Sequence, residues 1–162
     1  MLDDNARYMQ CALREAERAL EIGEVPVGCV IVHEGEIIGK AHNQREVLQD
    51  PTAHAEILAI TQAAAHLRSW RLENTKLYVT LEPCPMCAGA IILARVAEVH
   101  FGACDPKAGC CGTLMNLLDD KRFNHQPALF PGLLAEECGA LISSFFRRIR
   151  ETGRISRPEA NQ

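Results

Sequence analysis

No stretch of this sequence stays apolar for the roughly 18–20 residues a membrane-spanning helix requires, so no transmembrane segment is expected. The chain opens Met1-Leu2-Asp3-Asp4, with no basic region leading into an apolar run, so no secretory leader is expected either. Positive charge is also scarce. The formal net charge of -4 at pH 7 excludes a protein that coats nucleic acid through bulk potential. Internal repeats and low-complexity segments are absent, and no linker precedes the polar tail after about Thr152. What remains is ordinary globular composition, 48% hydrophobic and 23% charged. The expectation is one cytoplasmic domain over residues 1–152 with a tail over 153–162.

Eight cysteines would suggest a disulfide framework in a secreted chain, but a reducing compartment keeps thiols reduced. Cys11, Cys29 and Cys138 lie in apolar, periodic stretches and read as small buried hydrophobes. Cys110 and Cys111 are adjacent, an awkward chelate, and read as structural thiols; Cys104 receives no role. Arg147, Arg148, Arg150, Arg154 and Arg157 gather near the C-terminus with only Glu151 and Glu159 as nearby acids. That basic stretch reads either as a solvated helix face or as a phosphate-contacting edge.

Ala6, Met9, Leu13, Ala16 and Leu20 recur at helical spacing, predicting a first amphipathic helix started near Asp3 and stopped by Gly23. Pro26 to Val32 reads as a buried strand, and the Glu34-Gly35 turn leads to a second strand over Glu36 to Ala41, completing a hairpin. A polar loop from Asn43 to Pro51 precedes a helix over Ala53 to Leu67, whose apolar face takes in Ile57, Leu58, Thr61 and Ala64. Leu77 to Leu81 is a third strand, Pro85 to Ala94 a third helix and Ala97 to Phe101 a fourth strand. Strands alternating with helices predict parallel crossovers and an α/β sandwich. The chain is less regular through Gln126, then closes in a helix with Leu134, Cys138, Leu141, Phe145 and Ile149 on one face.

Two of these helices begin at the carboxyl ends of strands, the edge at which open α/β sheets place ligands. His54 lies in the first turn of one, within Thr52-Ala53-His54-Ala55-Glu56; Cys84 and Cys87 open the other, within Glu82-Pro83-Cys84-Pro85-Met86-Cys87. Cysteines three apart share a helical face, and the helix N-terminus favours their thiolates. One imidazole and two thiolates suit Zn²⁺, and with no fourth Cys or His at finger-like spacing the fourth position is left open for water. Glu56, two residues past His54, is placed to manage protons there rather than to act as a ligand. A redox cysteine pair and a non-enzymatic, zinc-stabilised RNA-binding module are the competing readings. The zinc nucleobase deaminases are known by this H-x-E and P-C-x-x-C pairing.

The wider sequence resembles the bacterial tRNA-specific adenosine deaminases from about Tyr8 to Arg150. The resemblance is carried by Glu24-Val25-Pro26-Val27-Gly28, Asp50-Pro51-Thr52-Ala53-His54-Ala55-Glu56, Tyr78-Val79-Thr80-Leu81-Glu82-Pro83-Cys84 and Cys87-Ala88-Gly89-Ala90. Phe101-Gly102-Ala103, Asp105-Pro106-Lys107, Gly112-Thr113-Leu114-Met115-Asn116 and Phe123-Asn124-His125 extend it. It implies a three-layer α/β/α, cytidine deaminase-like fold with a central mixed sheet of about five strands. It also implies a homodimer, one Zn²⁺ per subunit on His54, Cys84 and Cys87, and Glu56 as the proton shuttle. The implied reaction is hydrolytic deamination of adenosine to inosine at the wobble position, with the tRNA anticodon arm as partner. Asn43 is then the amide that meets the purine, and Val27 and Ala55 line the base pocket. Asp105, Lys107, Asn124, His125, Phe146 and Arg150 are the implied RNA contacts. Zinc deaminases of free guanine or cytosine share the core motifs and are the alternative. On residue type alone Asn43 also suits a turn, Trp70 suits packing at a helix end, and His33, His42, His66 and His100 read as surface or satisfied histidines.

Overall fold

The computed structural model describes residues 3–153. Helix α1 spans Asp4–Glu21 and is capped by Asp3, whose carboxylate accepts the Asn5 N–H at 3.4 Å. Gly23, in the left-handed region at φ 79°, follows the helix end. Strands β1 (Gly28–His33) and β2 (Glu36–His42) form an antiparallel hairpin. Its turn places Glu34 and Gly35 at φ 50° and 81°, as a two-residue primed turn demands. The expected polar loop holds one short helical turn, α2 (Arg45–Leu48). Helix α3 (Ala55–Leu67), β3 (Thr75–Leu81), α4 (Pro85–Ala94) and β4 (Glu98–Ala103) follow, then β5 (Ala128–Pro131) and α5 (Ala135–Thr152).

The five strands lie in the order β2-β1-β3-β4-β5. β1 runs antiparallel to β2 and β3, while β3, β4 and β5 are mutually parallel, so the sheet is mixed. The expected crossovers are therefore present: α3 carries the chain past β1 from β2 to the parallel β3, and α4 joins β3 to β4. Alternate residues of the strands divide the core. Cys29, Ile31, Leu77, Val79, Val99 and Phe101 pack with α3 and α4, whereas Val30, Val32 and Tyr78 pack with Tyr8, Met9 and Ala12 of α1 and Cys138 of α5. Three layers result. On the α1 and α5 side, Tyr8, Tyr78, His100 and Phe130 stack in a row with ring centroids 5.3, 4.6 and 4.6 Å apart. No helix among the described residues is long and apolar enough to cross a membrane.

Several side chains sit elsewhere than their spacing suggests. The buried face of α1 is Ala6, Tyr8, Met9, Ala12, Glu15, Ala16 and Ala19, with Leu13 and Leu20 only half-buried. The cause is close approach: a Cβ on Gly28 would collide with the Ala12 carbonyl, so small residues must face β1. Likewise α3 buries Ala55, Glu56, Ala59 and Ala63 against the sheet, and Thr61 is exposed. Cys29 and Cys138 are buried as expected, but Cys11 is half-buried, its sulfur accepting from Arg14 at 3.0 Å. Trp70 is not packed; it stands 61% exposed beyond the end of α3 with the Arg71 guanidinium 4.9 Å from its ring centroid. His42 and His100 are satisfied, by Glu15 at 2.9 Å and Glu98 at 3.2 Å. Helices α3 and α4 both terminate on arginine in the left-handed region, Arg68 at φ 52° and Arg95 at φ 64°. Arg154 and Arg157 of the basic stretch, and the tail beyond Gly153, lie outside the described residues.

At Gly28 the backbones of α1 and β1 approach closely enough to leave no room for a Cβ. Gly28→Ala is expected to lower stability by about 2 kcal/mol, within the range typical of overpacking, read as a fall of several degrees in melting temperature.

Candidate active site

The carboxyl ends of β2 and β3 lie at the same edge of the sheet, and the helices that leave them start there. His54 is the N-cap of α3 and Cys84 the N-cap of α4, both extended at φ -75°. Pro85 at the first position of α4 needs no N–H partner and presets the helical φ. The turn into α3 is shaped by Asp50, whose carboxylate accepts the Thr52 N–H and hydroxyl, each at 2.8 Å. These two local devices aim His54 and Cys84 at one another, and Cys87, one turn into α4, completes the group.

Nδ1 of His54 lies 3.6 Å from the Cys84 sulfur and 3.5 Å from the Cys87 sulfur. Among the described residues this is the one group of three His, Cys or acidic donors close enough to hold a common ion. In the bare protein the hydrogen bond from Cys87 draws the Cys84 thiol down to about 4; burial opposes this and His54 reinforces it. Cys87 is pushed up as donor to Cys84 and by burial. His54 is raised by its hydrogen bond to Cys84, against the effect of burial. The trio thus favours the thiolate form of Cys84.

Glu56 lies beside it, 4% exposed. Burial pushes its carboxyl up from the ordinary range, although His54 and its hydrogen bonds pull the other way. A cavity of about 200 Å³ opens over this group, lined by Val25, Val27, Asn43, Arg45, His54, Ala55, Glu56, Leu81, Glu82, Cys84, Asp105 and Ala108. The sequence-derived Val27, Asn43, Ala55, His54, Glu56, Cys84 and Asp105 therefore converge. Asn43 is 7% exposed and fixed at both ends of its amide: Nδ2 donates to the Val25 carbonyl at 3.3 Å and Oδ1 accepts the Arg45 N–H at 3.2 Å. Behind it, buried Glu24 accepts the Val47 N–H at 2.7 Å and pins α2 to the end of α1.

A second cleft of about 410 Å³ shares Val25, Leu81 and Asp105 with the first and is otherwise lined by Cys104, Pro106, Lys107, Ile142, Ser143, Phe146 and Arg150. Lys107 Nζ stands 5.8 Å from the centroid of the Phe146 ring. Asn124 and His125 are not brought to either cavity. His125 Nε2 is 2.6 Å from the Val96 carbonyl, before the start of β4, while the cavities lie beyond its end. Val25, Arg45, Leu81, Glu82 and Ala108 also line the first cavity; Val25, Leu81 and Glu82 stand within the motifs quoted for the resemblance, but the sequence assigns none of the five a site role. For Glu82 a signal existed: an acid is conspicuous between an apolar strand and Pro83-Cys84.

Residues 3–150 match the family model of the MafB19-like deaminases. The chain is similar to a tRNA-specific adenosine deaminase of Bacillus subtilis, 56% identical over 155 residues, 96% of each chain. One from Aquifex aeolicus is 50% identical over 145 residues, 88% of this chain and 94% of the relative. A solved structure from studies of A-to-I editing by tRNA:A34 deaminases at the wobble position of transfer RNA superposes with a TM-score of 0.81. It is 41% identical and covers 83% of this chain and 98% of its own. A guanine deaminase from Nitrosomonas europaea shares the fold at TM-score 0.77 and 22% identity, over 86% of this chain and 83% of its own. The mixed five-stranded sheet with helices on both faces is thus the cytidine deaminase-like fold, and the chain belongs to the tRNA-specific adenosine deaminase family.

Proposed function

We propose that this protein is a zinc-dependent hydrolase that deaminates adenosine to inosine at the wobble position of a tRNA anticodon. The observation that carries the reading is the convergence of His54, Cys84 and Cys87 beside buried Glu56 at the floor of a cavity. Zinc fits this donor set: tetrahedral bonds of about 2.0 Å to nitrogen and 2.3 Å to sulfur place those atoms about 3.5 Å apart, close to the 3.5 and 3.6 Å at which His54 Nδ1 and the two sulfurs stand here. His54, Cys84 and Cys87 would hold one ion per subunit, and when bound it supplies a Lewis-acid position that makes water nucleophilic at neutral pH.

The remaining work falls to the chain. Glu56 takes the proton of the attacking water, delivers it to the ring nitrogen and then carries one to the departing amine. Its burial suits this, since a carboxyl pushed up toward neutrality can both accept and release a proton. Asn43, held by Val25 and Arg45, presents a fixed amide edge to the purine. Val27 and Ala55 supply apolar walls. The second cleft provides what a flanking nucleotide needs, an aromatic face at Phe146 and cations at Lys107 and Arg150, with Asp105 on the shared wall. An anticodon loop already exposes its bases, so delivering one to the cavity costs less than opening a duplex. Asn124 and His125 do not reach the base pocket of their own subunit.

A homodimer is part of the same reading. Helix α4 carries no charged residue, and its Leu93 is 70% exposed, so it has apolar surface on the side away from the sheet as well. A second copy, offering the same helix in a two-fold contact, is the occupant we assign to that face. Residues 1–152 act as a single catalytic unit followed by the polar tail, and the site of action is the cytoplasm, where tRNA is found.

The deciding experiment offers purified protein an anticodon stem-loop with a wobble adenosine and, separately, free guanine and cytosine, with zinc measured on the same sample. Inosine in the RNA with one zinc per subunit is the expected result; xanthine or uracil formed while the RNA stays unmodified would replace the RNA assignment with the free-base one. Glu56→Gln is expected to retain zinc and RNA affinity while turnover falls at least 10²–10⁴-fold, the range typical of general acid–base groups. Unchanged turnover would remove Glu56 from the mechanism. Leu93→Glu is expected to convert the dimer to monomer by light scattering, with zinc retained.

A further inference from the structure

Glu82 is buried, 2% exposed, between the end of β3 and the Pro83-Cys84 turn. Its carboxylate is fully engaged with a segment far ahead in sequence. Oε1 accepts the Asp105 N–H at 3.2 Å and the Thr113 hydroxyl, and Oε2 accepts the N–H groups of Cys111 at 3.0 Å and Thr113 at 3.1 Å. Two donors on each oxygen use the acceptor capacity of a carboxylate. The backbone on either side is tied to the same region: Glu82 N–H donates to the Ala103 carbonyl at 2.8 Å, and the Pro83 carbonyl accepts the Cys110 N–H at 2.9 Å. Gly109 closes the contact, since a Cβ there would collide with the Glu82 carboxyl.

The segment so held, 105–113, forms one wall of the active-site cavities. Asp105 faces both, Ala108 the inner one and Lys107 the outer one. Asp105 Oδ1 accepts the N–H groups of Lys107 at 2.9 Å and Ala108 at 3.2 Å, so anchoring Asp105 sets the direction of the next three residues. Glu82 itself lines the inner cavity, but with its acceptor sites occupied it has none to offer a substrate. We infer that Glu82 is a positioning residue: it hangs the recognition wall 105–113 from the base of the thiolate turn, so that the wall and the metal ligands share one frame and the substrate meets them in register. This rests on the deaminase reading for its functional half; the clamp itself rests on the hydrogen bonds alone.

Glu82→Gln tests it sharply. An amide in either orientation turns an NH₂ group toward two donors, breaking half of the clamp while preserving volume. On whichever substrate the wild-type protein deaminates, RNA or free base, we expect at least a tenfold rise in KM, a fall in kcat of less than threefold and one zinc per subunit retained. Hydrogen exchange of the substrate-free protein is expected to show at least tenfold faster exchange at the amides of Asp105, Cys111 and Thr113. Thr113→Val, at an exposed position, removes only the hydroxyl bond and is expected to raise KM about threefold; it stands in if Glu82→Gln does not fold. A lower melting temperature with KM unchanged in the folded protein would reduce Glu82 to a structural role and overturn the inference. So would a loss of kcat that tracks loss of zinc, which would make it a support of the metal turn instead. Should wild type deaminate neither substrate, the deaminase reading fails, and unchanged amide exchange in Glu82→Gln would then defeat the clamp as well.

Discussion

The meeting of two helix N-termini at one sheet edge is the constraint from which the rest of the molecule follows. Both α3 and α4 leave parallel strands at the same end, so their first residues, His54 and Cys84, face each other as N-caps. Side chains at those positions belong to neither strand nor helix ladder, and each is free to point across the gap. The unsatisfied N–H groups of the first turns favour negative charge there, which suits a site built from cysteine sulfurs and a carboxyl. Without β1 inserted antiparallel between β2 and β3, the two helices would leave adjacent strands and lie closer along the sheet.

Around this meeting point the protein spends buried carboxylates as struts. Glu15 holds His42, the residue before Asn43, at 2.9 Å; Glu24 holds the α2 segment after it; and Glu82 holds the opposite wall. Each is buried with its partners supplied, and no buried side-chain nitrogen or oxygen among the described residues lacks a hydrogen bond. Burial would push Glu82 up, but the Thr113 hydroxyl and the N–H groups of Cys111, Thr113 and Asp105 bring its carboxyl below the ordinary range. Glu56 differs in kind. Its carboxyl is pushed up by burial despite its own hydrogen bonds. The same residue type is therefore a fixed acceptor in three places and a buried, raised carboxyl in one, according to the donors that surround it.

What could be read in advance follows the range of the interaction responsible. Helix α4 was legible to its ends because Pro85 and the continuous apolar residues up to Ala94 are local signals. The grouping of His54, Cys84 and Cys87 was legible because H-x-E and P-C-x-x-C occur together, although either pattern alone also suits a structural histidine or a redox pair. Strand β5 was not, since Ala128–Pro131 has four residues and is held by pairing with β4 rather than by any alternation of its own. On α1, Ala6, Met9 and Ala16 are buried as their spacing suggests, but Leu13 and Leu20 are only half-buried, because the tight Gly28 contact, invisible in a periodicity, favours alanine. Glu82 stands in a quoted motif, but what it holds was not legible, because its donors lie 23 to 31 residues further along the chain. The places of Asn124 and His125 likewise depend on how the β4–β5 connection travels, and their residue types do not encode that path.

The two helices that begin at His54 and Cys84 end on Arg68 and Arg95 in the left-handed region. Such conformations cost a residue with a side chain about 1 kcal/mol relative to glycine. For these two helices that cost falls at the ends opposite His54 and Cys84. Lineages facing hotter habitats would find headroom in those joints, able to harden the scaffold while leaving its reactive rim untouched.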